Sequence, residues 1–95
     1  MTTLKFTKKF EKQLKTLNQS IRERILKSIE ELEKNPLKGK TLKGTYEAEI
    51  DSLRVHIHLR SLRIGDYRVI YWFDALRNVV WLLSIGHRKK IYREL

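Results

Sequence analysis

Residues 67–73 read YRVIYWF, and residues 79–85 read VVWLLSI. Both runs are dominated by β-branched and aromatic residues, a composition that favours strands. Five residues separate them, which is a length typical of a hairpin loop, so the two runs predict an antiparallel hairpin. Because nearly every position is apolar, both faces of this hairpin are expected to be covered. That requirement places it at the centre of a sheet.

Ahead of this hairpin, the chain begins with the patterns of a strand and a helix. Leu4 and Phe6 alternate with polar residues, which predicts a short strand. Thr7 follows and is a favourable N-cap residue. Apolar side chains then recur with helical spacing at Phe10, Leu14 and Leu17. We therefore expect a first helix that starts after Thr7 and buries this face.

A second amphipathic helix is predicted before Pro36. Ser20 and Glu23 have the spacing of a capping box and mark its start. Asn35 marks its end, because the residue before a proline avoids the helical region. The apolar stripe between these signals consists of Ile21, Ile25, Ile29 and Leu32. Two antiparallel helices joined near residues 17–20 would form a hairpin with one apolar face to bury.

Alternating patterns resume in the second half of the chain. Val55, Ile57 and Leu59 share one face of a predicted strand, and His56 and His58 lie on the other. Two histidines without a third ligand do not favour a metal site, and the sequence has no Walker or dinucleotide-binding fingerprint, so neither a metal nor a cofactor is expected. The complete pattern predicts one α+β domain over residues 1–95. A strand and a two-helix hairpin would pack on a mostly antiparallel sheet of about four strands, followed by a short basic C-terminal tail.

The charge balance points to an anionic partner. The 95 residues carry 21 Lys and Arg against 11 Asp and Glu, a formal net charge of +10. This balance favours nucleic acid or an acidic protein, with ordinary solubilising charge as the alternative. Ten of the twelve cations in residues 1–50 are lysines, whereas seven of the nine in residues 51–95 are arginines. Arginine matches phosphate geometry better than lysine does, so the second half is predicted to recognise the anion.

Other functional classes are disfavoured by what the sequence lacks. It contains no cysteine, which excludes thiol chemistry and cysteine-ligated metals. No apolar run approaches 18 residues, and no leader pattern precedes the first strand. We therefore expect a cytoplasmic protein without a membrane segment.

Six motifs follow one another along the chain: KF at 9–10, IRERI at 21–25, LKG at 42–44, LRIGDYRVIY at 62–71, LSIGHR at 83–88, and Tyr92. Taken in this order, they resemble the RelE/ParE toxin superfamily of type II toxin–antitoxin systems, and the resemblance covers nearly the whole chain. RelE-type toxins cleave messenger RNA in the ribosomal A site, whereas ParE-type toxins inhibit DNA gyrase on the same scaffold. The resemblance therefore implies a RelE-like fold and leaves the choice of target to the site residues.

Metal-free RNA cleavage needs a base for the 2′-OH, positive charge for the phosphate and an acid for the leaving 5′-oxygen. The resemblance implies that Arg68 binds the scissile phosphate and that Arg88 stabilises the transition state. It also implies that Tyr92 orients the nucleotide and acts as the base. His87 is a further candidate, because imidazole exchanges protons near neutral pH. The alternatives are an ion pair for Arg68, a solvated charge for Arg88 and a packing contact for Tyr92.

The chain lacks one feature of the superfamily's site. The positions that match its pair of lysines on a long strand hold Leu59 and Ser61. RNA or phosphate contacts are therefore predicted for other cations, each of which has a plain surface charge as its alternative. These cations are Arg60, Arg63, Lys43, Lys89 and Lys90.

The resulting prediction is a toxin that acts as a ribosome-dependent, metal-independent mRNA endoribonuclease and inhibits translation. Its partners would be the ribosome, mRNA and a cognate acidic, RelB-like antitoxin. The free toxin is expected to be a monomer and to form a higher-order complex with that antitoxin. Two alternatives stay open: a ParE-type gyrase inhibitor without nuclease chemistry, and an inactive RNA-binding remnant. Residues 46–54 have no functional assignment.

Overall fold

In the computed structural model, which describes residues 1–50 and 52–94, two helices cover one face of a five-stranded sheet. Along the chain the elements are β1 (Thr3–Phe6), α1 (Lys8–Lys15), α2 (Gln19–Glu30), a 3-10 helix (Glu31–Glu33), β2 (Lys40–Thr41), β3 (Tyr46–Ile50), β4 (Leu53–Ile57), β5 (Arg60–Ile64), β6 (Tyr67–Asp74), β7 (Val79–His87) and a second 3-10 helix (Ile91–Glu94).

The strands lie in the order β1-β7-β6-β5-β2. β1 runs parallel to β7, and every other neighbouring pair is antiparallel. The predicted α+β class and the central position of the β6–β7 hairpin are confirmed. The predicted number of about four strands was slightly low, because the two-residue strand β2 is too short to show alternation. β3 and β4 form a separate two-stranded hairpin.

Both helices begin at a capping side chain. The Thr7 hydroxyl accepts a hydrogen bond from the backbone N–H of Phe10 at 3.2 Å, as predicted. The predicted capping box at Ser20 is wrong. Asn18 caps α2 instead, and its side chain accepts from the Ile21 N–H at 2.9 Å. Asparagine is among the strongest N-cap residues, so the helix starts before Ser20. No helix in residues 1–50 and 52–94 is long and apolar enough to cross a membrane.

Apolar side chains pack on both faces of the sheet. The helix-side core is built on Phe10, Ile25, Ile29 and Leu32 from the helical segments, together with β5, β6 and β7. A smaller core on the opposite face contains Ile57, Leu59, Ile70 and Ile91. Burial of Ile91 to 1% exposure fixes the second 3-10 helix against this face.

The strand predicted through Val55, Ile57 and Leu59 is divided in the structure. β4 ends at Ile57, and β5 begins at Arg60 after the chain passes from the small hairpin to the main sheet. All three apolar residues nevertheless belong to the opposite-face core, so the prediction of a shared face is confirmed. His56 and His58 are exposed.

Candidate nucleic-acid interface

A groove of about 510 Å³ lies on the sheet face opposite the helices, beside the short edge strand β2. We call it the basic groove. One wall is the segment Lys38–Leu42, and the other side is formed by Ser61, Leu62, Arg63, Arg68 and Tyr92. Four of these ten residues are cations, and none is acidic. The groove therefore has the electrostatic character of an anion-binding site.

Two arginines stand opposite each other in the basic groove. Arg63 of β5 and Arg68 of β6 are direct partners in the antiparallel register. Like charges in this arrangement repel each other. The Arg68 guanidinium donates to the carbonyls of Gly65 at 3.0 Å and Tyr67 at 2.9 Å. Among the ion pairs of the side chains that the structure describes, which exclude residues 50, 51, 94 and 95, none includes either arginine. Their positive charge is thus available to an anion.

Tyr92 reaches the same groove from the second 3-10 helix. Its hydroxyl is hydrogen-bonded to the hydroxyl of the buried Ser61 at 2.9 Å, while 45% of the residue remains exposed. Ile91 packs beside Gly86, where an added Cβ would lie 3.2 Å from the Ile91 Cδ1 atom. The predicted packing contact of Tyr92 is present, and its ring still lines the groove. Two of the four predicted catalytic residues, Arg68 and Tyr92, are therefore brought together.

His87 lies on the other face of the sheet. In the β6–β7 register Arg68 pairs with Gly86, and Tyr67 pairs with His87. Successive residues of a strand face opposite sides, so His87 shares the face of Tyr67 and not that of Arg68. The two rings meet edge-on with centroids 5.9 Å apart, and His87 Nδ1 accepts from the Lys89 N–H at 3.2 Å. The imidazole is not part of the groove lining.

Arg88 directly follows β7 and contacts Asp66 in the turn between β5 and β6. It is not part of the groove lining. Its backbone N–H donates to the carbonyl of Asp66 at 2.7 Å, and its Nε lies 3.7 Å from the Asp66 carboxylate. About half of the Arg88 side chain is exposed. This long, exposed ion pair contributes little to stability, so the guanidinium can turn towards another anion at small cost.

The other four cations predicted to contact RNA outside the arginine pair differ in their hydrogen bonding and exposure. The Arg60 guanidinium donates to the carbonyls of Leu37 at 3.2 Å and Gly39 at 2.8 Å, which ties it to the wall of the groove. Lys43, Lys89 and Lys90 are exposed and do not line the groove. Arg60 thus holds the backbone just before β2, and the three lysines lie at the surface outside the groove.

Sequence reasoning missed the residue that holds the groove wall in place. Tyr71 is fully buried, and its hydroxyl donates to the Pro36 carbonyl at 2.8 Å and accepts from the Gly39 N–H at 2.8 Å. Burial raises the pKa of Tyr71, against smaller lowering effects of the Gly39 hydrogen bond and the Arg60 charge. At Gly39 an added Cβ would lie only 2.7 Å from the Tyr71 ring. A glycine between two lysines was the available sequence signal for this close approach.

Comparisons with known proteins agree with this architecture. Residues 4–92 match the sequence model of the ParE toxin of the type II toxin–antitoxin system, parDE. No match was found among curated protein sequences.

Several solved structures share the fold. A chain of the archaeal RelE–RelB complex from Pyrococcus horikoshii is 29% identical, with a TM-score of 0.68 over 93% of this chain and 97% of that one. For the RelBE2 toxin–antitoxin complex from Mycobacterium tuberculosis the values are 23% identity, a TM-score of 0.67, and coverage of 92% and 98%. The isolated E. coli RelE toxin is 21% identical with a TM-score of 0.63, and both chains are covered completely.

Proposed function

This chain belongs to the ParE toxin family of type II toxin–antitoxin systems, and we propose that it inhibits translation as a ribosome-dependent mRNA endoribonuclease. The observation that carries the proposal is the arginine pair of Arg63 and Arg68 in one groove with Tyr92. A binding surface for an acidic protein needs charge alone. A tyrosine hydroxyl beside two uncompensated guanidinium groups adds a group that can exchange a proton.

The chemistry that fits this arrangement is attack by a ribose 2′-OH on the adjacent phosphate. The 2′-oxygen loses its proton and bonds to phosphorus while the bond to the 5′-oxygen breaks and that oxygen gains a proton. The products are a 2′,3′-cyclic phosphate and a 5′-hydroxyl. Arg63 and Arg68 would stabilise the charge that builds on the phosphate oxygens. Tyr92 would orient the nucleotide and take part in the proton transfer.

The other predicted residues would act from outside the groove. Arg88 would leave its exposed contact with Asp66 and reach the phosphate when RNA is bound. His87 would reach the RNA and transfer a proton only after the end of β7 and the turn that follows it rearrange, because its ring packs on Tyr67. Lys43, Lys89 and Lys90 would contact the RNA backbone around the groove, as such charges position nucleic acid without reading its sequence. Arg60 would contribute by fixing the wall.

An acidic, RelB-like antitoxin is the proposed neutralising partner. The solved relatives include complexes named as RelE with RelB. The net charge of +10 and the four cations among the described groove residues, which include no acidic side chain, favour a partner segment rich in Asp and Glu. Action on ribosomes would place the toxin in the cytoplasm.

Gyrase inhibition is the second candidate, because the matching family model is that of ParE toxins. In that case the basic groove would serve as a binding surface and Tyr92 would have no chemical role. Loss of activity on removal of the Tyr92 hydroxyl alone would therefore favour the nuclease.

The deciding experiment is primer extension on a defined mRNA in a reconstituted translation reaction, with a ribosome-free reaction in parallel. We expect cleavage within A-site codons by the wild type, loss of cleavage in Arg68→Ala, and strong reduction in Tyr92→Phe. Arg54→Ala is the matched control, because Arg54 is an exposed arginine of β4 paired with Glu47 outside the groove. Intact mRNA together with growth arrest and inhibited DNA supercoiling would establish the gyrase alternative. Intact mRNA without any growth defect would indicate an inactive remnant.

A further inference from the structure

We propose that Lys40 is a phosphate-binding residue of the basic groove and supplies the positive charge that position 61 lacks in this chain. The inference rests on the proposed function and adds a catalytic residue to it. Ser61, which stands where the superfamily has a lysine, directs its hydroxyl to Tyr92 and brings no charge. A cation must therefore come from elsewhere if the groove is to hold a third positive group beside Arg63 and Arg68.

The strand register places Lys40 at the required position. Lys40 of β2 and Ser61 of β5 are direct partners in the antiparallel pairing. Side chains of such partners project from the same face of the sheet, with Cβ atoms about 4.5–5.5 Å apart. Lys40 accordingly lines the groove together with Tyr92 and Arg68. Lys40 and the two arginines thus line one groove, Lys40 from β2 and the arginines from β5 and β6.

The neighbouring lysine of this wall has a carboxylate partner. Lys38 forms an ion pair with Glu31. Among the side chains that the structure describes, Lys40 takes part in no ion pair, and none of those that line the groove is acidic. Of the two lysines, Lys40 is therefore the one without a carboxylate partner among the described side chains, so a phosphate need not displace an ion pair to reach it.

The backbone that carries Lys40 is fixed on both sides. On one side the Gly39 N–H donates to the buried Tyr71 hydroxyl at 2.8 Å. On the other side the Leu42 N–H donates to the Leu59 carbonyl at 2.9 Å, and Leu42 packs against the opposite-face core. A cation on such a fixed segment needs little reorganisation when the charge on the phosphate grows, which is the condition for effective electrostatic stabilisation. An exposed lysine on a free loop would lack this property.

The test is the single-turnover rate of mRNA cleavage on the ribosome for Lys40→Met, Lys40→Arg and the control Lys34→Met. Lys34 is an exposed lysine that precedes the same connection but lies outside the groove. We expect Lys40→Met to lose cleavage on the order of 100-fold, as is typical when one preorganised electrostatic group is removed. Lys40→Arg should recover most of that loss, and Lys34→Met should match the wild type. All three proteins should keep the wild-type Tm, because both lysines are exposed.

A second readout uses mRNA with a 2′-deoxy residue at the cleavage site, which cannot be cut. Binding of the toxin to ribosomes carrying this mRNA should become less salt-dependent in Lys40→Met. The slope of log K against log salt should fall by about 0.7, the value for one lost contact to a single strand. The slope of Lys34→Met should stay unchanged.

The outcomes separate the two proposals. If the wild type cleaves and Lys40→Met cleaves equally fast, the assignment of Lys40 is overturned and the proposed function stands. Failure of Lys40→Arg to restore the rate would also overturn a role based on charge. If the wild type leaves the mRNA intact, the proposed function fails, and the assignment fails with it.

Discussion

Arg63 and Arg68 are direct cross-strand partners on β5 and β6, and among the described residues neither forms an ion pair. Arg63 is exposed, so its side chain adds repulsion without a packing contribution. Arg63→Ala should therefore raise the free energy of unfolding by about 0.3 kcal/mol while it slows mRNA cleavage. Chemical denaturation and primer extension measure the two effects. A variant that is less stable and equally active would show that Arg63 has a structural role.

The contact between Ser61 and Tyr92 predicts coupled effects of substitution. Ser61→Ala removes the partner of the Tyr92 hydroxyl and should lower the free energy of unfolding by about 1 kcal/mol. It should also slow cleavage, because the tyrosine ring loses its fixed position in the groove. In a double-mutant cycle, Ser61→Ala combined with Tyr92→Phe should be no slower than the worse single variant. Ser84→Ala, at a buried serine outside the basic groove, is the control. Additive effects would mean that the two hydroxyls act independently.

Removal of the Tyr71 hydroxyl should loosen the groove wall. Tyr71→Phe leaves the Gly39 N–H and the Pro36 carbonyl without their partner, which should cost about 2 kcal/mol of stability. Amide hydrogen exchange at Gly39 should accelerate, and cleavage should slow because Lys40 loses its fixed backbone. Unchanged exchange at Gly39 would contradict this role of Tyr71.

The same residue predicts a loss of stability in alkali. Burial raises the pKa of Tyr71 in the folded state, so the fold favours the neutral phenol. The resulting stabilisation is fully present below the ordinary tyrosine value of about 10 and is lost as the pH rises through the folded pKa. Denaturation between pH 8 and the alkaline limit of solubility should show this decline in the wild type. A Tyr71→Phe protein should show a smaller decline, because it lacks the phenol whose ionisation causes that share of the loss of stability.

The contact between Asp74 and Arg77 predicts a loss of folding stability in acid. Burial alone would raise the pKa of Asp74, but the side-chain and backbone hydrogen bonds of Arg77 outweigh it and hold the pKa below its usual value. Stability from this contact is present above the ordinary carboxyl value of about 3.9 and is lost as the pH falls through the lower folded pKa.

Arg77→Ala should cost about 1 kcal/mol at pH 7, a modest value because the Arg77 side chain is 75% exposed. Denaturation at a series of pH values should show this difference shrinking as the carboxylate is protonated. A difference that stays constant down to pH 2 would assign the effect to the Arg77 backbone or to packing.

Much of the fold could be predicted because it depends on local patterns. The cap at Thr7, the buried stripe of Ile25, Ile29 and Leu32, and the central hairpin were all visible as periodicity. The start of α2 was misplaced because two capping signals overlap within three residues, and the energies that choose between them are small.

The site was less predictable because it depends on register between distant segments. Arg68 and Tyr92 were identified through the resemblance, but the pairing of Arg63 with Arg68 and of Lys40 with Ser61 follows from strand alignment. A two-residue strand such as β2 carries no periodic signal, since its position depends on Gly39 meeting Tyr71, 32 residues away. His87 was grouped with Arg68 by motif, whereas strand alternation separates their side chains.

The parallel pairing of β1 with β7 has a consequence for the order of folding. Thr2 and Asn78 share a hydrogen bond across 76 residues, and Thr7 reaches Leu82 across 75. Contacts of such sequence separation form late and slow folding, because a long loop must close before they are made. During synthesis, β1 must remain without its partner strand until residues 79–82 have emerged from the exit tunnel. A nascent chain that has not yet exposed residues 79–82 cannot complete its sheet, so this domain finishes folding only after those residues have emerged.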